Sequence, residues 1–421
     1  MRILQVSYRR IPRSRARAGG DLGTFQNLQA LSALGHEVHL AVCGGPFEVE
    51  PEVAALAAQV HWVPARRESL AQRAAGRCFQ LDTLRLRFPD RDGYATGLLR
   101  LAERLAVDLV WADTTFGIAV APRTRFPTIY GHYDFLYLLK AVRAESRPAP
   151  RLGDLASGPE GWRRFRSALR RPDSMSTEQL ERLELRCCRE ASLVVSVSAS
   201  ACGLLREHGI AADHVPIVGP TLPARTGEPA APARLLLFGN HNTANRAVLT
   251  EIRARLWPAV VTRASPVEWH QVGQVPAEEG DADWEWARRH FHSMHGFVPC
   301  LESVLRPGDI SLVPYGFDTG FRTKFTVAAA HGVVSAGYPE TFECAPEFTP
   351  GEDCLVAQGP EALAQQLDAV ARSIADRKRL ANAVRATYDR HFTFEAQIPK
   401  YERALAAALR VGARPRAGWL S

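Results

Sequence analysis

The feature that most constrains this chain is a strand–turn–helix alternation that runs through it twice. Residues 2–7 read as a buried strand. A loop rich in Arg and Gly follows and ends Ala18-Gly19-Gly20-Asp21-Leu22-Gly23. Phe25, Leu28, Leu31 and Leu34 then recur every third residue, which marks one face of a helix. Gly35 is placed to cap that helix, and residues 37–42 read as the next strand. Strand, glycine turn, helix, strand is one βαβ unit of a doubly wound parallel sheet. The pattern continues with a strand at 60–63, a helix around 94–106, strands at 108–112 and 128–131, an Arg-rich helical region to about 190, and a strand at 193–197.

Between Gly219 and Ala233 the composition shifts to Pro, Gly and Ala, the best linker candidate in the chain. Alternation then restarts. Strands are expected at 235–239, 270–273, 295–298, 310–315 and 333–336, with helices at 247–256, 360–372, 376–389 and 395–410. At roughly 100–200 residues per domain, 421 residues favour two domains. The expected architecture is α/β, with two Rossmann-like, doubly wound parallel-sheet domains facing across a cleft, the first over 1–220 and the second over 221–394. The segment 395–421 is expected to cross back to the first domain.

Charge is distributed unevenly. Of the net +7, residues 1–220 carry 30 basic and 23 acidic side chains, and the remainder balances at 22 and 22. The excess lies in Arg runs such as Arg66-Arg67 and Arg163-Arg164, read either as a solvated face or as attraction to an anionic membrane surface or lipid diphosphate. No stacking-aromatic motif, finger or helix-turn-helix supports nucleic acid as a partner. The eight cysteines form no C-x-x-C pair and several sit among apolar neighbours, so they read as reduced core thiols without zinc. The start of the chain has too short an apolar run for a signal peptide, and no stretch approaches a spanning helix. The expected location is the cytoplasm, with peripheral attachment to the inner face of the membrane as the alternative.

Parallel α/β sheets bind ligands where strand ends lead into helix N-termini, so the informative residues lie in those turns. The Gly19-Gly20 turn would let backbone N–H groups, Gly20 among them, approach phosphate or sugar oxygens. Asn240, after the strand ending at Gly239, suits a phosphate or leaving group. The third turn is Tyr315-Gly316-Phe317-Asp318-Thr319-Gly320-Phe321-Arg322-Thr323-Lys324. There Gly320 permits a tight turn, Thr319 caps a helix running from 322 to 331, and Arg322 and Lys324 fall on its first turn. Cations in that position oppose the helix dipole, so an anionic ligand would compensate them, and the preferred reading is a diphosphate clamp. Two solvated surface cations are the bland alternative.

Taken together, Met1–Val6, the Gly19-Gly20 loop, Leu31-Ser32-Ala33-Leu34-Gly35-His36-Glu37-Val38, Phe238-Gly239-Asn240, His270-Gln271-Val272-Gly273, His295-Gly296-Phe297-Val298 and Thr319–Lys324 resemble bacterial glycosyltransferases of the GT-B fold, closest to glycosyltransferase family four. The resemblance spans nearly the whole chain apart from about residues 140–190. It implies transfer of a sugar from a nucleotide-sugar, held mainly by the second domain, to an acceptor held by the first. Such a reaction is retaining, metal-independent and without a cofactor, the nucleotide-sugar being a substrate. It further implies that Arg322 and Lys324 neutralise the departing diphosphate and that the nucleobase lies near Phe297 and Val298. It also implies that His132, after a first-domain strand, is a cleft histidine acting on a sugar hydroxyl; a histidine satisfied by loop backbone is the alternative. The acceptor is unknown, with a lipid-linked or membrane-surface molecule in cell-surface polysaccharide synthesis as one candidate.

The sequence departs from that family at one motif. Two glutamates eight residues apart are replaced here by Thr319 and Val327, which leaves Asp318, Glu340 and Glu343 as nearby candidates for the nucleoside or sugar. The short Asp-x-Asp runs at Asp90 and at Asp281–Asp283 read as solvated loops rather than metal ligands. Two other readings stay open: a nucleotide-sugar epimerase on the same fold, and a non-catalytic sugar-nucleotide-binding scaffold.

Overall fold

The computed structural model describes residues 1–8, 12, 19–44, 48–64, 91–122, 125–138, 177–223, 228–239, 243–275, 281–318 and 320–412. Two all-parallel sheets organise them. The first is β1 (Arg2–Tyr8), β2 (Glu37–Cys43), β3 (Gln59–Val63), β4 (Leu109–Asp113), β5 (Thr128–His132), β6 (Leu193–Ser196) and β7 (Ala212–His214), in the order β3-β2-β1-β4-β5-β6-β7. The second is β8 (Ala233–Phe238), β9 (Val267–Val272), β10 (Ser293–Met294), β11 (Ile310–Val313), β12 (Val334–Gly337) and β13 (Cys354–Val356), in the order β10-β9-β8-β11-β12-β13. Each order reverses direction once, between β1 and β4 and between β8 and β11. Such a reversal is where an α/β sheet opens a crevice at its strand ends.

The chain forms two compact units. One is Met1–Val197 with Ala201–Val215 and Lys400–Ser421, and the other is Ser198–Ser200 with Pro216–Pro399. The terminal helix Phe394–Gly412 therefore begins in the second unit and ends in the first.

Burial explains the strands. Leu4, Val6, Val110, Ala112 and Tyr130 face one side of the first sheet and pack with Leu98, Ile118, Leu180 and Cys188 from its helices. Because side chains alternate along a strand, Gln5, Trp111 and Asp113 face the other side. Leu235, Leu236, Ile310, Leu312 and Val334 form the buried centre of the second sheet.

Several local expectations shift. Gly19 and Gly20 do not form the turn after β1; they open the helix Gly19–Ala33 itself. Gly23 is a packing glycine, since a Cβ there would lie 2.1 Å from Cε1 of Tyr133. Residues 295–298 are not a strand: β10 ends at Met294, and Gly296 turns the backbone at φ +65°. The helix after β11 is Thr323–Ala330, one residue shorter at each end, so Arg322 sits at its N-cap rather than in its first turn. The acidic run around Asp281 is partly helical, with Asp281 capping the helix Ala282–His290 through a 3.1 Å bond from the Asp283 amide. The short helices Thr114–Val120, Ala199–Glu207 and Trp257–Thr262 and the strand β7 have no counterpart in the sequence reading, being too short to show a period.

Candidate functional site

In the second unit, β11 leads through Pro314 into Tyr315, whose side chain is buried, and the chain turns back at Gly320. Gly320 has φ +128°, a conformation that favours glycine, and its amide donates to Asp318 Oδ1 at 2.9 Å. That turn brings Lys324, in the first turn of the helix Thr323–Ala330, back toward Tyr315. Lys324 Nζ donates to Tyr315 Oη at 2.9 Å and to Asn245 Oδ1 at 2.7 Å, and Tyr315 Oη donates to the same Asn245 oxygen at 3.0 Å. The guanidinium of Arg322 lies 4.4 Å from the centre of the Tyr315 ring and 5.7 Å from that of Phe317. Two half-buried cations thus converge on one aromatic ring at a helix N-terminus, where unsatisfied amides add positive potential. No carboxylate pairs with Lys324 among the described residues.

Asn245 arrives from the helix Thr243–Glu251 after β8. Gly239, between them, has φ +126°, and a Cβ on it would stand 2.6 Å from Asn245 Nδ2. The sequence reading placed Asn240 at this position of the site, but Asn240 and Thr319 both lie outside the described residues. Asn245 is the side chain the structure brings to Lys324, and its signal was visible only as one more polar residue in a polar turn.

Beside Tyr315 lies an open cavity of about 330 Å³. Its walls include Tyr315, Phe317, Glu251, Arg255, Tyr338 and Glu340. Glu343 is exposed at the C-cap of the helix Pro339–Phe342 and does not line this cavity. Val298 is half-buried in the loop after β10, beside an exposed Phe297.

In the first unit, His132 ends β5 and is 1 % exposed. Its Nδ1 is 3.0 Å from Ser196 Oγ, and its ring packs against Phe135 at 4.3 Å and edge-on to Tyr130 at 5.5 Å. Nε2 has no hydrogen-bond partner among the described residues. Burial pushes the imidazole down to about 3, so it is neutral at physiological pH. A neutral ring with one open nitrogen suits a hydrogen bond to a hydroxyl better than proton abstraction.

The group that sequence reasoning missed is Asp113, at the end of β4 and fully buried. Gln5 Nε2 and Asn27 Nδ2 each donate to it at 2.6 Å, and Trp111 Nε1 and Tyr133 Oη at 3.2 Å. Burial nevertheless dominates and pushes its carboxyl up to about 7. Asn27 also accepts a 2.7 Å bond from Tyr401 Oη on the terminal helix, and the Tyr401 ring stacks on Trp111 at 5.6 Å. The network therefore anchors that helix to the first sheet. The expected strand stopped at Ala112, one residue short of this carboxylate.

Gly20 lies in the first turn of the helix Gly19–Ala33. Asp283 is engaged by Arg253 at 2.8 Å and Thr250 at 2.7 Å, and Asp281 by Arg246 at 3.4 Å. No group of three or more His, Cys, Asp or Glu side chains placed to hold a metal occurs among the described residues. No helix there is long and apolar enough to cross a membrane.

No protein-family model matches the chain, and no curated protein is similar to it in sequence. Its likenesses are structural. Sucrose-phosphate synthase from Thermosynechococcus elongatus superposes with a TM-score of 0.63 at 15% identity, covering 96% of this chain and 99% of that one. HepE of Anabaena, solved in complex with UDP-glucose, gives 0.59 at 13% identity over 97% of this chain and all of its own. The lipopolysaccharide outer core galactosyltransferase WaaB gives 0.60 at 11% identity over 97% and 99%. At such identities the likeness defines a fold: the two Rossmann-like parallel-sheet halves of GT-B.

Proposed function

We propose that this chain is a glycosyltransferase that takes a sugar from a nucleotide-sugar donor, with retention and without a metal in the chemical step. The observation that carries the reading is the convergence of Lys324 and Arg322 on Tyr315 at the end of β11. Negative charge grows on the diphosphate as the glycosidic bond breaks. Two preorganised cations beside helix-terminal amides stabilise that charge without reorganising. Sharing Asn245 and Tyr315 fixes the Lys324 ammonium in place, which is the condition for that effect.

The fold supports the reading, since neighbours of the same fold include a galactosyltransferase and a protein bound to UDP-glucose. UDP is therefore the first donor base to test. His132, whose Nε2 is buried in the structure, would supply a neutral hydrogen bond to a sugar or acceptor hydroxyl only once the residues covering it move aside. The acceptor side would use the Arg-rich first half of the chain, in keeping with a lipid-linked or membrane-surface acceptor handled from the cytoplasm.

A thermal-shift series with UDP, GDP, ADP, TDP and their sugars tests the donor site. A ligand at a hundred times its Kd stabilises the native state by about 2.7 kcal/mol. One nucleotide should raise the melting temperature of the wild type, and the rise should vanish in Arg322→Ala and Lys324→Ala. A wild type indifferent to every nucleotide would sink the donor site and favour the scaffold reading.

A further inference from the structure

The cavity beside Tyr315 has two acidic residues and two aromatic rings in its lining. Its volume of about 330 Å³ sits at the small end of ligand pockets, room for one sugar ring and little more. Two acidic residues line it from different elements, Glu251 from the helix after β8 and Glu340 from the helix after β12. Tyr338 Oη donates to Glu251 Oε1 at 2.5 Å, and Arg255 pairs with the same carboxylate at 3.3 Å. These two partners fix where Glu251 points. Tyr315 and Phe317 supply aromatic wall, their rings 5.6 Å apart and edge-on. Gln358 and Gly359 also line it. Carboxylates that accept from adjacent hydroxyls, set against aromatic faces that cover C–H bonds, are the complement of a polyhydroxylated ring.

We infer that this cavity is a diol-binding subsite, in which Glu340 and Glu251 accept hydrogen bonds from adjacent hydroxyls of a sugar ring. The inference rests on the donor reading above, and Tyr315 is the physical link: its hydroxyl bonds Lys324 while its side chain walls the cavity. A diphosphate on Lys324 thus has one ring of its ligand beside the carboxylates. That ring is either the ribose of the nucleotide or the transferred sugar, and both present the same adjacent hydroxyls.

The test is calorimetric, on the full chain, with inorganic pyrophosphate, the nucleoside diphosphate that stabilises the wild type, and its sugar conjugate. Glu340→Gln is the informative variant because Glu340 is exposed and the change keeps its shape; an unchanged melting temperature confirms that it folds. Pyrophosphate should bind the variant as it binds the wild type. Loss of a charged acceptor should weaken the diol-bearing ligand roughly tenfold or more. Weakening of both nucleotides assigns the ribose; weakening of the sugar conjugate alone assigns the transferred sugar. Unchanged affinity for all three ligands in both Glu340→Gln and Glu251→Gln overturns the subsite and leaves the diphosphate clamp standing. If the wild type binds neither pyrophosphate nor any nucleotide, saturation-transfer NMR with D-glucose and D-ribose decides separately. Transfer lost in Glu340→Gln keeps the cavity as a sugar site and discards the donor reading. Absence of transfer in the wild type discards both.

Discussion

At the end of β11, Lys324 and Arg322 are half-buried and share the face and hydroxyl of one tyrosine, whereas at the ends of β4 and β5 Asp113 and His132 are closed off from solvent. Both pairs occupy the strand ends where a parallel sheet places its chemistry, yet they are held in opposite ways. The cations are only half-buried, so part of each side chain is open to solvent and to a ligand. Asp113 has four donors from its own protein, and those donors tie together the first helix, the sheet and the terminal helix. A polar group at a strand end is thus not by that fact a binding residue. What separates the two cases is enclosure, since the cations are only half-buried whereas Asp113 and His132 are shut in.

The comparison breaks most directly at Lys324. Removing one preorganised cation from a developing diphosphate should lower kcat by about 10²–10³, in line with the loss of other oxyanion donors. Steady-state turnover of the nucleotide-sugar by Lys324→Ala measures it. A rise confined to KM, with kcat unchanged, would move the residue from transition-state stabilisation to simple docking.

The buried pair should show itself in stability against pH. Asp113 has its folded value raised from 3.8 to about 7, so the folded state holds a proton that the unfolded state releases between those values. Its contribution is therefore greatest below about pH 4 and is lost as pH rises through 7, by up to about 1.4 kcal/mol per pH unit. His132 has the opposite sign. Its folded value is lowered from 6.5 to about 3, so its contribution is full above 6.5 and disappears as pH falls toward 3. Between about pH 4 and 6.5 the two slopes oppose each other, so urea denaturation from pH 4 to 8 should show stability rising with pH in Asp113→Asn and falling with pH in His132→Gln, against a flatter wild type. Identical profiles for both variants and the wild type would mean that neither group is as enclosed as its contacts indicate.

Two glycines sharpen the contrast at smaller scale. A Cβ on Gly131 would lie 2.8 Å from Asp113 Oδ1 and 3.1 Å from Trp111 Nε1. Gly131→Ala should cost about 1–3 kcal/mol of stability by overpacking while leaving nucleotide affinity unchanged. Gly239→Ala pushes on Asn245 instead, at a φ that disfavours a side chain, and should weaken nucleotide binding as well as stability. Denaturation and calorimetry on the two variants separate a scaffold glycine from a site glycine.

The sequence by itself determined the alternation, and with it the fold class. Strands such as Leu235-Leu236-Leu237 and the three-residue spacing from Phe25 to Leu34 are local patterns, because burial on a sheet or helix face repeats with the backbone's own period. The turn that carries Arg322 and Lys324 was legible too, since a turn after a buried strand is likewise local, although the helix begins and ends one residue inside the expected span. What the tertiary structure alone decided was which distant residues meet. Tyr401 and Asn27 are 374 residues apart in the chain, and Lys324 and Asn245 are 79 apart. Nothing in the neighbourhood of Asp113 announces that Gln5, Asn27 and Tyr133 will all reach it. Nor does the order of residues show Glu340, rather than Glu343, on the cavity wall beside Tyr315. Periodicity is written into consecutive residues, whereas a site is made by sheet order and crossover, which bring together side chains with no local relation at all.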